Sequence, residues 1–421
     1  MFTFLHAADI HLDSPLHRLD TYEGAPVEAL RQATRRAFEN LVELAVSESV
    51  AFVLIAGDLY DGDWKDYNTG LYLVSQMSRL REANIPVYMI AGNHDAASRI
   101  TRTLRFPDNV TVFPAEKPST CSVGKLDVAI HGQSFATAAV KKDLSAKYPP
   151  ALPGCFNVGL LHTCATGREG HEPYAPCKIE GLQSKGYDYW ALGHVHQYET
   201  LLDDPMILFP GNIQGRHIRE TGPKGCVLVS VDDRGRADVA FKPLDVIRWV
   251  KIKADVSKIE TGHNVLDLVG DLLEQNMEQN QDLPLIARVE ISGNSKVHGE
   301  LAGNPEKWTY EVRSAASDFS SGRVWIEKVK ILTDSPPDVH GLKAKTGPVA
   351  ELLGYLDEVR SSPEQIKTLG ESLDEIKKRL PREFKESVEG IDLENTEWIL
   401  EMLDQVQPML LQQLLKSEGS P

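Results

Sequence analysis

Asp9-Ile10-His11, Gly57-Asp58-Leu59-Tyr60-Asp61, Gly92-Asn93-His94-Asp95, His162 and Gly193-His194-Val195-His196 bring carboxylates, imidazoles and one amide together in fewer than 200 residues. That mixture suits phosphodiester hydrolysis at neutral pH. The reaction needs a strong oxygen nucleophile and neutralisation of the charge that builds on phosphorus-bound oxygens, and two divalent cations about 3.5–4 Å apart supply both. Mixed carboxylate, imidazole and amide ligands favour manganese, iron or zinc over magnesium or calcium, which prefer oxygen alone. One carboxylate has to serve both ions, and Asp58 lies in a tight Gly-Asp turn suited to it. His194 and His196 can reach one small volume if the turn after their strand curls around the ions. Taken singly each motif is weak: an Asp-x-His pair is common, Gly-Asn-His-Asp also reads as a helix-capping turn, and Gly-His-x-His as a histidine pair beside a sheet. Five of them in a fixed order are a different matter.

Each motif directly follows an apolar, β-prone run, at 2–5, 51–56, 86–91, 156–161 and 189–192. The polar groups therefore emerge at strand ends, where loops carry function. Helical patterns at 27–47 and 68–83, then closely spaced strands at 126–131, 156–162, 188–192, 206–209, 225–231 and 237–241, predict two mixed sheets packed face to face with helices outside. The expected fold is α/β, a four-layer αββα sandwich whose motif loops converge on one edge. Of the thirteen histidines, His11, His94, His162, His194 and His196 fall in the motifs. His6, His17, His131, His171, His217, His263, His298 and His340 read as core or surface residues, with His17 and His217 the nearest to exceptions.

The ordered set resembles the calcineurin-like metallophosphoesterase superfamily. Ala8-Asp9-Ile10-His11-Leu12-Asp13-Ser14-Pro15-Leu16, Ala191-Leu192-Gly193-His194-Val195-His196 and Phe209-Pro210-Gly211-Asn212 are similar to its bacterial DNA-repair exonuclease branch, which includes the SbcD subunit of the SbcCD nuclease. The resemblance implies one metal on Asp9, His11 and His196, a second on Asn93, His162 and His194, and Asp58 between them. It implies manganese as the ion, with iron or zinc as alternatives. His94 would then face the scissile phosphate, stabilising charge or protonating the leaving oxygen, with Asp95 orienting its ring. Asp61 stands where eukaryotic and archaeal relatives often carry a histidine; bacterial members commonly have Asp there.

At 421 residues the chain is long for one core. The divisions expected are a catalytic domain at 1–245, a small α/β capping domain at 246–333, a linker at 334–347 rich in Pro, Gly and Lys, and a helical partner-binding region at 348–421. In the second region strands are expected at 249–252, 285–291 and 322–331 and a helix at 263–278. The last region carries an apolar stripe, Ile399, Met402, Leu403, Val406, Leu410 and Leu414, interrupted by Pro408. Such a stripe packs on its own domain or on a partner. The resemblance implies a partner, an SMC-like coiled-coil ATPase docked on these helices, and it leaves a homodimer open.

The net charge of -16 argues against nucleic-acid binding by a basic surface. Half of that excess lies in 348–421, where sixteen acidic side chains face eight basic ones, a net of -8. Bound metals would offset the carboxylates of the motifs. Local positive charge follows two motifs: Arg99, Arg102 and Arg105, and then Arg216 and Arg219, candidate contacts to a DNA backbone. No apolar run approaches the ~18 residues of a membrane span. The strand-like start leaves no room for a signal peptide, and the five cysteines, at 121, 155, 164, 177 and 226, show no Cys-x-x-Cys spacing. A cytoplasmic protein with reduced thiols is expected. The function expected is a two-metal DNA phosphodiesterase, a 3′-to-5′ exonuclease with some endonuclease capacity, acting with an ATPase in repair or recombination. The competing readings are a phosphatase or cyclic-nucleotide phosphodiesterase of the same superfamily, and a scaffold subunit with a vestigial site.

Overall fold

The computed structural model describes residues 1–14, 27–61, 67–97, 105–124, 126–165, 174–281, 283–336 and 347–372, with 399, 400, 402, 403, 406, 407, 410 and 411. The expectations for His17, Arg99, Arg102, His171, His340, Pro408, Leu414 and most of the linker lie outside them.

The strands form where β-branched and aromatic residues run together: β1 Phe2–Ala7, β2 Phe52–Ala56 and β3 Val87–Ile90. Parallel pairing of β1 with β2 and of β2 with β3 makes the centre of a six-stranded sheet. Its edges are β4 Val110–Val112 on one side and β11 Gly225–Val231 with β12 Ala237–Pro243 on the other, in the order β12-β11-β1-β2-β3-β4. The second sheet is built from β5 Ser119–Ser122, β6 Val128–Gly132, β7 Phe156–His162, β8 Tyr189–Gly193, β9 Glu199–Asp203 and β10 Met206–Phe209, in the order β5-β6-β7-β8-β10-β9.

Both faces of the central strands are buried, so these strands read as continuous apolar runs with no alternation. Phe4, Phe52, Leu54, Ile130, Val158, Leu160, Tyr189 and Leu208 fill the space between the sheets. On the outer face of the first sheet lie α1 Val27–Ser47 and α2 Tyr67–Glu82. α1 buries Leu30, Ala33, Ala37, Phe38, Leu41, Val42 and Ala45, one stripe at helical spacing. The outer face of the second sheet, with Trp190, Leu192 and Phe209, is covered mainly by loop residues such as Tyr148 and Tyr187 and by Leu182 of the short α4, Ile179–Gln183. The αββα order holds, with a thin fourth layer.

The chain divides into two compact units. The first comprises Met1–Ala254, Val265–Ile291 and Pro305–Lys330. Beside the sandwich it holds most of a three-stranded sheet, β13 Arg248–Asp255, β14 Leu285–Asn294 and β15 Val324–Asp334, and most of α5 Gly262–Gln279. Ile247, Trp249 and Ile286 pack with Leu30 and Ala33 of α1 in one apolar cluster. A helix absent from the sequence reading, α7 Pro305–Ser320, buries Trp308, Val312 and Ala316 at intervals of four.

The second unit comprises Asp255–Asn264, Ser292–Asn304 and Ile331–Pro421. It contains α6 His298–Gly303, α8 Pro348–Ser361 and α9 Pro363–Ser372. Val349 and Leu353 of α8 bury Leu411, and Val359 with Ile366 buries Ile399. Ile399 of the terminal apolar stripe thus packs inside its own unit with Leu403 partly buried beside it, as does the neighbouring Leu411, while Met402 and Leu410 stay exposed. Among the described residues no helix is long and apolar enough to cross a membrane.

Candidate metal centre

The loops that leave β1 and β2 stay paired after the strands end. Backbone N–H groups of Asp9, His11 and Leu12 donate to the carbonyls of Gly57, Asp58 and Leu59 at 3.0, 3.0 and 2.9 Å. Asp9, His11 and Asp58 therefore leave the sheet side by side. All three adopt left-handed backbone, with φ of 50°, 47° and 51°, as does His194 at 107°. A non-glycine residue in that region costs on the order of 1–3 kcal/mol and persists only where its surroundings over-determine it. Two glycines make the close approach possible. A Cβ on Gly57 would lie 2.6 Å from Nδ1 of His162, and one on Gly92 would lie 2.2 Å from Oδ1 of Asp58.

Three groups of side chains have ligand atoms mutually within 4.8 Å: Asp9, His11 and His196; Asp58, His162 and His194; and His11, Asp58 and His94. Asn93 joins the second through Oδ1, 2.9 Å from Nε2 of His162. Asp58, wholly buried, lies between the two sets, and its Oδ1 accepts the N–H of His94 at 2.9 Å. The carboxylate of Asp9 accepts the N–H of His194 at 2.9 Å, which ties the β8 turn to the β1 loop.

The hydrogen bonds on the outer side of the rings fix how the inner side is presented. Nδ1 of His162 donates to the Ala56 carbonyl at 2.9 Å, so Nε2 carries a lone pair. That lone pair faces Oδ1 of Asn93 and, at 3.5 Å, Oδ2 of Asp58. His196 donates from Nδ1 to Glu220 at 2.7 Å, which turns its Nε2 lone pair toward Nε2 of His11, 3.2 Å away. Nδ1 of His11 is buried and has no hydrogen-bond partner among the described residues, with Oδ1 of Asp61 3.7 Å away. Electron-rich atoms that converge in this way call for a cation between them, and the residues fit two divalent metals. The electrostatics agree. Burial opposes charge on His162, yet the carboxylates of Asp58 and Asp9 push its pKa up to about 9, a proton standing in for a metal charge. Burial raises Asp9 above the usual carboxylate range, and burial brings His11 down to about 3, a neutral ring able to ligate.

The structure thus brings together Asp9, His11, Asp58, Asn93, His162, His194 and His196, with His94 beside them. It assigns Asp95 a different place from the one expected. Its carboxylate accepts the backbone N–H groups of Gly92, Tyr60 and Leu59 at 2.9, 3.0 and 3.2 Å and clamps two motif loops. The cause is local: Asp95 is the third residue of α3 Asn93–Ala97, and from there a carboxylate reaches back to the residue before the helix, half of a capping box. The ring of His94 is held instead by Asp61, 2.8 Å from its Nδ1. Burial and the Asp58 charge leave Asp95 with a pKa raised to about 6.

Arg216 is not on an open face. Its guanidinium lies between Asp61 and Glu220, each at 3.2 Å. Arg219 and Arg105 are exposed. Glu220 is the residue that the sequence reading missed. It takes the Nδ1 proton of His196, the amide of Asn212 at 3.0 Å and the backbone N–H of Arg216 at 2.8 Å. Its signal was a carboxylate among basic residues eight positions after Asn212, whose turn was already singled out.

A family model described as calcineurin-like phosphoesterase matches residues 2–198, and one described as the middle domain of metallophosphoesterase YhaO matches 249–334. The uncharacterized metallophosphoesterase YhaO of Bacillus subtilis (strain 168) is 34% identical over 297 residues, 70% of this chain and 72% of its own length. The DNA double-strand break repair protein Mre11 of Saccharolobus solfataricus is 25% identical over 305 residues, 66% of this chain and 73% of its own. Among solved structures a dimetal phosphatase from Danio rerio aligns at a TM-score of 0.36 and 14% identity, over 57% of this chain and 99% of that one. That likeness is too low to carry an argument.

Proposed function

The chain belongs to the calcineurin-like phosphoesterase family, and on that premise we propose that it is a DNA phosphodiesterase of repair or recombination. Membership implies phosphoester hydrolysis with two divalent metals. The observation that carries the hydrolytic reading is the shared position of Asp58 between two ligand sets, with His94 more than a third exposed beside it, at 37%. Asp9, His11 and His196 would hold one ion and Asn93, His162 and His194 the other, with Asp58 common to both. When bound, the pair supplies nucleophile activation and neutralisation of phosphoryl charge.

The chain's own residues do the rest. Asp61 accepts the Nδ1 proton of His94 and leaves Nε2 to carry a second one, so the imidazolium faces outward. As the P–O bond breaks, that proton passes from Nε2 to the leaving oxygen, a need that is acute when the leaving group is a sugar alkoxide. Asp9, Asp95 and Glu220 fix the loops and rings that keep the atoms in place.

The DNA substrate is supported by the similarity to Mre11, which over 305 residues outruns the catalytic sandwich. Manganese, exonuclease polarity from 3′ to 5′ with some endonuclease capacity, a cytoplasmic setting and an SMC-like ATPase partner on the C-terminal helices complete the proposal. A homodimer is compatible with it. The test is the full-length protein with Mn2+ on labelled duplex DNA, single strands, a cyclic dinucleotide, bis(p-nitrophenyl) phosphate and the monoester p-nitrophenyl phosphate. DNA and the generic diester should be cleaved and the cyclic dinucleotide spared. Activity confined to the cyclic dinucleotide or to monoesters would overturn the substrate assignment and leave a phosphatase or cyclic-nucleotide phosphodiesterase in its place.

A further inference from the structure

We infer that Arg216 is a positioning residue that locks the proton donor and one metal-side histidine into a single unit. The inference rests on the hydrolase reading above and names a residue that this reading does not need. Four contacts run without a break: His94 Nδ1 to Asp61 at 2.8 Å, Asp61 to Arg216 at 3.2 Å, Arg216 to Glu220 at 3.2 Å, and Glu220 to Nδ1 of His196 at 2.7 Å. The side chains of Asp61, Arg216 and Glu220 are 18%, 15% and 5% exposed. Two carboxylates so close together and so little hydrated repel each other unless a cation separates them. A guanidinium does this from two different nitrogens, Nη1 toward Asp61 and Nη2 toward Glu220, and its planar fork fixes their spacing. Ser14 adds its hydroxyl to Asp61, and Arg216 its own backbone N–H to Glu220. Asp61 turns its other oxygen to the proton donor, and Oε1 of Glu220 accepts from both Arg216 and Nδ1 of the metal-side His196. Removing the guanidinium frees both carboxylates at once.

The test compares Arg216→Ala, Arg216→Lys and His94→Gln in the full chain. Two Mn2+-dependent reactions are followed: bis(p-nitrophenyl) phosphate, whose leaving group departs without a proton, and a short oligodeoxynucleotide, whose sugar alkoxide needs one. Arg216→Ala should lower kcat on the oligonucleotide by about tenfold or more, the scale of a lost orienting partner, and lower the activated diester less, through the loosened His196 alone, whereas His94→Gln spares the diester. Added guanidinium should restore it, and Arg216→Lys should not, because an ammonium cannot span the two carboxylates. A loss confined to KM on the oligonucleotide would make Arg216 a phosphate contact and overturn the inference. So would an equal loss on both substrates.

A second readout does not depend on activity. In the full-length protein with 15N-labelled histidine, Arg216→Ala should move the Nδ1–H signals of His94 and His196 together and leave that of His162, bonded to Ala56, unmoved. If the wild type hydrolyses neither substrate the hydrolase reading fails, and this spectrum still decides the inference. Unmoved His94 and His196 signals, or a shift of all three, would contradict it.

Discussion

Replacing Gly92 by alanine should disable both halves of the centre with one methyl group. The added Cβ would lie 2.2 Å from Oδ1 of Asp58, 2.7 Å from its backbone nitrogen and 2.9 Å from Cγ, where a real Cβ essentially never comes under 3.0 Å. The carboxylate oxygen must therefore withdraw by at least 0.8 Å. Side-chain rotation alone does not relieve the contact with the backbone nitrogen, and Asp58 already holds a left-handed conformation with φ of 51°. A displacement near 1 Å costs on the order of 100-fold in rate, or about 2.7 kcal/mol of transition-state stabilisation. Overpacking should take about 1–3 kcal/mol from stability, which leaves the chain folded. Because Asp58 belongs to two ligand groups, both metals should weaken together. Metal titration by calorimetry and turnover on bis(p-nitrophenyl) phosphate read this directly. Two ions bound with wild-type affinity, and turnover within about threefold of wild type, would refute the steric argument and the shared role of Asp58.

Other outcomes follow from the same geometry. His94→Gln should retain both metals and lose roughly 100-fold in turnover on DNA; loss of metal as well, by elemental analysis, would make His94 a ligand. His6, buried between Tyr189 and the Leu192 carbonyl, has its pKa lowered by burial from 6.5 to about 3. The unfolded chain takes up that proton first as pH falls, so the stability tied to neutral His6 is whole above about pH 6.5 and lost toward pH 3, by about 2 kcal/mol at pH 5. His6→Gln should flatten this loss, and an unchanged difference in urea midpoint between pH 7 and pH 5 would contradict it. Beside the terminal stripe, Leu411→Glu should destabilise the second unit by several kcal/mol, because Leu411 is fully buried against Val349 and Leu353. Leu410→Glu, at an exposed position, should leave the melting temperature in place and abolish co-purification with an ATPase partner; retention of the partner would remove the stripe from the interface.

The sandwich could be read from the chain because its physics is local: the strands at 2–7, 52–56 and 156–162 are mostly apolar runs, and each leads into a polar motif. Helix α7 is hard to read from the chain because Trp308, Val312 and Ala316 are spread thinly among polar residues, a stripe that only their burial in the fold reveals. The ligand residues followed from motif order. What sequence order does not contain is which carboxylate meets which ring. Asp95 is adjacent to His94 in the chain, but helical geometry turns it back to Gly92, whereas Asp61 arrives from another loop. Glu220 and Arg216 belong to a segment whose path is set by long-range hydrogen bonds, among them Lys224 to the His196 carbonyl at 2.7 Å. Arg216 reads from sequence as a candidate contact to a DNA backbone because nothing local announces that two carboxylates will enclose it.

Manganese-edge anomalous diffraction from crystals of the full chain grown with Mn2+ addresses the two-metal centre most directly. Two peaks about 3.5–4 Å apart are expected, one among Asp9, His11 and His196, the other among Asn93, His162 and His194, with Asp58 between them. A single peak, or peaks away from Asp58, would contradict the account.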